Sequence, residues 1–248
     1  MAFYEALGGG RYRASEHTIG PWSDKAQHLG PPSALLVREA ERCSPREGTA
    51  IRRVSIDVLG PVPVDEIEVR AEVVRPGRSV ELVSAELGSG GRVAATARVW
   101  RSVLGDTTGI ATATAEKAEP GLLPSTPVVD GWATGYAAAM DWRRSTSGTI
   151  WARQRVPLVV DEEPTALQRL LAVADSASGV SSPLSFDEWS FANTDLTVHL
   201  HRTPTGAWIG MDAESVLGPD GAAVATSVLR DASGRVGRGE QTLFVSPR

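Results

Sequence analysis

The sequence predicts an α+β protein built as two antiparallel sheets, each wrapped around a central helix and fused in one chain. A well-punctuated helix is followed by segments that alternate apolar and polar residues, the pattern of half-buried strands. The same order returns after roughly 130–140 residues, a spacing that marks a duplicated unit and not a solenoid. Turns rich in glycine and proline separate the alternating segments at matching places in both copies, as antiparallel hairpins require.

A short strand is expected at 10–18. Residues 33–43 place Leu36, Ala40 and Cys43 on one helical stripe, with Pro31 and Pro32 ahead and Pro45 behind. Strands are expected at 49–59 (Val54, Ile56, Val58), 64–75 (Ile67, Val69, Ala71, Val73), 79–87 (Val80, Leu82, Ser84) and 92–103 (Val93, Ala95, Val99). Gly60-Pro61, Pro76-Gly77 and the run from Gly88 to Gly91 divide them. Residues 104–130, rich in Thr, Ala, Gly and Pro, lack periodicity and read as a connection. This sets units at 1–105 and 131–248 with a linker at 106–130. The second unit opens with strands at 132–142 and 149–158. Pro164 then leads a helix at 165–177 whose apolar face carries Leu167, Leu170, Leu171 and Ala174. Strands near 194–202, 206–217, 221–230 and 235–246 complete the repeat. A long sheet with one helix cannot cover both faces, so wrapping each sheet around its own helix and joining the sheets at an edge is the simplest burial scheme. Clefts where two such units meet are common places for ligands.

The 248 residues carry a net charge of −5, and Lys25 and Lys117 are the only lysines among 25 basic residues. Arginines scattered along the chain are not a nucleic-acid footprint. A few local arginines still suffice for an anionic ligand, because screening confines charge effects to roughly 10 Å. The single cysteine, Cys43, excludes an intrachain disulfide and a Cys-rich zinc site, and its helical stripe suggests a buried, structural thiol. No basic-plus-apolar leader and no run of 18 apolar residues is visible, so no membrane span is expected and the cytoplasm is the expected compartment.

Four stretches carry a resemblance. They are Ala26 to Pro32 (AQHLGPP) ahead of the first helix, Ala174 to Ser178 (ADSAS) in the second, Asn193 to Arg202 (NTDLTVHLHR), and Gly237 to Gln241 (GRGEQ). In this order inside a duplicated unit the chain resembles the double-hotdog acyl-CoA thioesterases of the acyl-CoA thioesterase II type, over nearly its whole length. The resemblance implies a double-hotdog fold and hydrolysis of an acyl thioester, on CoA or another carrier, by activated-water attack. It further implies Asp175 on the second helix, Asn193 at the start of the following strand and Gln241 on the last strand as the catalytic set. Asn193 stands where the best-known members carry Thr, with Thr194 next to it. His28, Gly30 and Thr194 are the candidate substrate-binding residues. Neither metal nor organic cofactor is implied, and the chain is expected as a monomer containing its own pseudo-dimer or as a homo-oligomer.

Thioester hydrolysis needs a water oriented and partly deprotonated near the carbonyl carbon, and donors facing the developing oxyanion. Asp175 suits the base, Asn193 and Gln241 suit holding the water, and a helix-terminal or glycine-rich N–H suits the oxyanion. No serine shows a nucleophile-elbow context, so no covalent enzyme intermediate is expected. Each residue has a structural alternative. Asp175 could cap or face solvent, Asn193 could close a turn, Gln241 could serve only structural hydrogen bonds, and His28 could close its loop instead of donating to a carbonyl. His199 and His201 sit on one strand face and read as a partly buried structural pair rather than metal ligands. Two other activities stay open: a non-catalytic acyl-thioester or lipid-binding module, and an enoyl-CoA hydratase using Asp24 and His28. The tryptophans read mainly as core and interface anchors.

Overall fold

The computed structural model describes residues 1–112, 116–126 and 133–248. The first part of the chain forms strands β1 (Tyr4–Gly8) and β2 (Arg11–Ala14), helix α1 (Gly30–Arg42), then β3 (Thr49–Val58), β4 (Glu66–Arg75), β5 (Val80–Ser89) and β6 (Arg92–Val103). The second part forms the short helix α2 (Gly135–Ala138), β7 (Met140–Arg144), β8 (Ile150–Gln154), α3 (Ala166–Ala174) and α4 (Ala177–Ser181). It ends with β9 (Trp189–Asn193), β10 (Asp195–Leu200), β11 (Ile209–Leu217), β12 (Ala222–Asp231) and β13 (Gly234–Pro247).

Among the described residues all thirteen strands join one sheet, in the order β1-β2-β4-β5-β6-β3-β10-β13-β12-β11-β8-β7, with β9 paired to β13 off this path. The pairs are antiparallel, and the halves meet where β3 lies against β10. Alternation explains the pairing there: Val54 and Ile56 of β3 and Leu196 and Val198 of β10 all turn inward and are buried. On the other face Ser55 and Thr197 share a hydrogen bond of 2.8 Å across the seam. Helix α1 packs on β4, β5 and β6, while α3 and α4 pack on β8, β11 and β12, and α1 and α3 pack on each other. A mostly antiparallel sheet with few helices is therefore observed.

Several elements differ from the sequence expectation. The strand expected at 10–18 is a hairpin of β1 and β2 turned by Gly8, Gly9 and Gly10, all at positive φ. The helix expected at 165–177 breaks after Ala174 into α3 and α4, so Asp175 and Ser176 lie between two helices. The strand expected at 132–142 begins at Met140, behind α2, and Trp132 lies outside the described residues. Parts of the 106–130 connection also lie outside them. Its described portion rests on the β12–β13 turn, where Glu116 N–H and Ala118 N–H donate to the carbonyls of Ser233 and Ala232. Cys43 is half-buried, because α1 stops at Arg42 and leaves it beyond the helix. His199 and His201 are exposed: His199 lies on the face of β10 turned away from the core, and His201 follows the end of that strand.

Candidate active site

The site forms where the tip of α1 meets the break between α3 and α4. Helix α1 begins with Gly30-Pro31-Pro32 and has no side-chain cap of its own. Two prolines at its start remove N–H groups that would otherwise need partners. The remaining donors, Leu29 N–H and Gly30 N–H, face the carboxylate of Asp175 and stabilise its charged form, and Gly30 N–H also donates to His28 Nδ1. An acid from the second half of the chain thus caps the helix of the first half, where the helix dipole favours negative charge. Gly30 is needed for this approach: a Cβ there would stand 2.2 Å from the Ala172 carbonyl oxygen of α3.

Asp175 is 4% exposed. Its Oδ1 accepts from Asn193 Nδ2 and from Gln241 Nε2, each at 3.0 Å, and Oδ2 lies 3.1 Å from His28 Nδ1. Burial pushes its pKa up to about 7; the donors from Asn193, Gly30, Gln241 and Leu29 oppose that shift without cancelling it. A carboxyl that titrates near neutrality is matched to accept a proton from water.

Gln241 is 1% exposed, and its amide is fully used. Nε2 also donates to the Asp175 carbonyl at 3.1 Å, and Oε1 accepts from Ser178 N–H at 3.1 Å. Asn193 closes β9, rather than opening a strand, and its Nδ2 also reaches the Asp195 carbonyl at 3.3 Å. Both amides therefore hold the carboxylate, whereas the sequence suggested that they hold the water. Burial lowers His28 to about 3, so its imidazole is neutral at physiological pH. Its Nδ1 accepts from Gly30 N–H at 3.0 Å.

Sequence reasoning missed Tyr136. Its ring stacks on His28 with centroids 3.9 Å apart and planes 3° from parallel. Its hydroxyl donates to the Ala172 carbonyl at 2.7 Å and lies 3.0 Å from Ser176 Oγ. Nothing in its local sequence marks it, because these partners lie far from it along the chain. Asp24, the other hydratase candidate, is exposed, and His28 turns to Asp175 instead.

Asp175, Asn193, Thr194 and His28 line a cavity of 560 Å³. Trp22, Phe186, Phe191 and Phe244 give it an aromatic wall, with Val58 and Leu59 opposite in sequence from β3 and its turn. Trp22 stacks on Phe186 at 5.2 Å and meets Phe191 edge-on at 4.8 Å. The exposed Thr194 pairs by its backbone N–H with the Thr242 carbonyl. Among the described residues no cluster of His, Cys, Asp and Glu is arranged to hold a metal, and no helix is long and apolar enough to cross a membrane.

The structure is similar to a hot dog fold protein of unknown function from Alicyclobacillus acidocaldarius, with a TM-score of 0.74 at 13% identity, covering 97% of this chain and 95% of that one. It is also similar to the acyl-CoA thioesterase II TesB2 of Mycobacterium marinum, with a TM-score of 0.68 at 18% identity over 99% and 95%. The tesB protein of Mycobacterium avium subs paratuberculosis gives 0.65 at 15% identity over 98% and 96%. At these identities the similarity establishes the hotdog fold. No curated protein matches the chain in sequence. Residues 18–102 match the acyl-CoA thioesterase N-terminal domain and residues 106–245 the acyl-CoA thioesterase C-terminal domain. The chain therefore belongs to the acyl-CoA thioesterase family and is a thioester hydrolase.

Proposed function

We propose that Asp175 is the general base of this hydrolase and that the 560 Å³ cavity receives the acyl thioester. The observation that carries the reading is the buried carboxylate, raised to about 7 and open to an apolar, aromatic-walled cavity. Water held by the Asp175 carboxylate attacks the thioester carbon and gives a proton to Asp175. The tetrahedral intermediate then expels the thiolate, which takes that proton and leaves as free thiol. Asn193 and Gln241 fix the carboxylate, Thr194 lines the cavity, and Gly30, which does not line it, lets the first helix reach Asp175. The aromatic wall suits the acyl chain and not the carrier, because it offers apolar surface.

In the same reading the sheet is a double hotdog, with units at 1–105 and 131–248 joined by 106–130. The half of the sheet ending at β3 wraps α1, and the half beginning at β10 wraps α3 and α4. The cavity lies at the join, drawing His28 from one unit and Asp175 from the other.

Release of free thiol from short, medium and long acyl-CoAs, measured beside Asp175→Asn, tests the proposal. Turnover is expected in the native chain, with a fall of about 10²–10⁴ in kcat in the variant. Acyl-CoA binding without any thiol release would replace the catalytic reading with that of a binding module.

A further inference from the structure

We infer that the outer face of the seam between the halves carries a phosphate-binding row, Arg53, His199 and Arg238 with Arg98 beside them, which holds the nucleotide end of CoA. The inference rests on the hydrolase reading above and extends it from the reacting end of the substrate to the far end of its carrier.

The pairing register brings these side chains together. Arg53 of β3 is opposite His199 of β10, and His199 is opposite Arg238 of β13. Side chains directly opposite on neighbouring strands have Cβ atoms about 4.5–5.5 Å apart, so the three form one row across the join. Arg98 of β6 is opposite Ser55, which follows Arg53 by two residues and shares its face. The alternating residues Val54 and Val198 turn inward and are buried, which leaves the row on the outer face.

A row of cations is costly unless an anion sits on it. Like charges on neighbouring strands repel, and Arg53 Nε is buried without a hydrogen-bond partner, so its desolvation is not offset. Acids are plentiful, with 30 Asp and Glu against 25 Lys and Arg. They pair with other arginines, as Glu162 does with Arg38, Glu86 with Arg70 and Asp231 with Arg202. Among the described residues Arg53, Arg98 and Arg238 form no ion pair. The acids of β3, β10 and β13 on this face, Asp57, Asp195 and Glu240, stand in rows nearer the cavity. A local rule broken without compensation inside the fold marks a functional site.

The row is within reach of the cavity. Val58, at the end of β3, lines it. Phe244, on the same face of β13 as Arg238, lines it too, so the mouth opens toward this face. Ser55 and Arg53 precede Val58 by three and five residues, which at the rise of an extended strand is about 10 and 17 Å. Extended pantetheine has the bond count of about four residues and spans about 15 Å. With part of this arm inside the cavity, its phosphates come to Arg98 and Arg53, while the uncharged arm passes Asp57 and Asp195. Guanidinium groups grip phosphate oxygens in two-pronged pairs. A carrier protein brings a single phosphodiester to this place, whereas CoA brings a pyrophosphate and a further phosphate, so a row with several arginines fits CoA.

Kinetics on an acyl-CoA and on the corresponding acyl-pantetheine, which has the same thioester and no phosphate, test the row. The native chain is expected to prefer acyl-CoA by about tenfold or more in kcat/KM. Arg53→Ala and Arg238→Ala are each expected to lose most of that preference, through a KM for acyl-CoA raised about five- to tenfold with kcat within about twofold of native. Calorimetry with free CoA, which needs no turnover, is expected to show the same loss of affinity. Variants that keep the native preference and the native affinity for CoA overturn the site. So does an equal loss on both substrates, which a merely structural role gives. No thiol release from the native chain with either substrate overturns the hydrolase reading instead, and the calorimetry then still decides the row.

Discussion

Asp175 and His28 are buried against each other with opposite shifts, and that opposition predicts a hidden pH dependence. The carboxyl is raised from 3.8 to about 7, so between those values the folded state holds more protons and its stability falls as pH rises. The imidazole is lowered from 6.5 to about 3, so between those values the unfolded state holds more protons and stability rises with pH. The two slopes offset each other from about pH 4 to 6.5, and the native chain is expected to show a nearly flat stability there. Removing either partner exposes the other. Urea unfolding of Asp175→Asn is expected to gain stability with rising pH up to about 6.5, and His28→Gln to lose it up to about 7. Each slope is at most about 1.4 kcal/mol per pH unit, the value for one proton. Equal pH profiles in the two variants would show that the pair does not titrate in this way. Hydrolysis, which needs the ionised carboxylate, is expected to rise through about pH 7.

The geometry of these residues is set by elements that touch at small residues. Gly30 lets α1 approach α3, and the Cβ of Gly30→Ala would overlap the Ala172 carbonyl. Overpacking at such a contact costs about 1–3 kcal/mol. The helices must also part, which moves the tip of α1 off the Asp175 carboxylate. Gly30→Ala is therefore expected to lower the urea midpoint and to reduce kcat by tenfold or more, since small displacements of a base are costly. Native kcat with lowered stability would separate the crossing from the site. The strands around this crossing were legible because their side chains alternate at period two; β3 to β6 and β10 to β13 begin and end close to the expected positions. The hairpin of β1 and β2 was not legible, because its three glycines carry no face. Nor was β9, a five-residue strand held by β13 alone. The resemblance at Ala174 to Ser178 singled out Asp175, but nothing in the sequence shows that Asn193 and Gln241 turn to it, because that depends on pairing across β9 and β13. Tyr136 left no trace for the same reason: its function is a contact, not a pattern.

At the scale of the molecule, the sequence suggests two units on a linker, yet the structure ties the halves together at several independent places. Strands β3 and β10 pair through the buried Val54, Ile56, Leu196 and Val198. Arg38 of α1, 4% exposed, forms a two-pronged pair with Glu162, with N–O distances of 2.8 and 2.6 Å. Glu41 accepts from Gln168 Nε2 at 2.6 Å, beside the Thr165 cap of α3. The first strand also crosses over: Phe3 N–H and Tyr4 N–H donate to the carbonyls of Pro157 and Leu158, and Val160 N–H returns to Tyr4. Opening one half would strip apolar surface and leave charged groups of the other half unpaired, so partial unfolding has no cheap route. The whole chain is expected to unfold in one transition, with tryptophan fluorescence and far-ultraviolet circular dichroism giving the same urea midpoint. Fluorescence reports on both halves, through Trp22 and Trp100 in the first and Trp142 and Trp151 in the second. Two separated transitions, or a fragment of residues 1–105 that folds alone, would show that the halves are independent. In a single cooperative unit the join cannot loosen without global unfolding, and the join is where His28 meets Asp175. Cooperativity between the halves is thus what keeps His28 and Asp175 in register at the cavity.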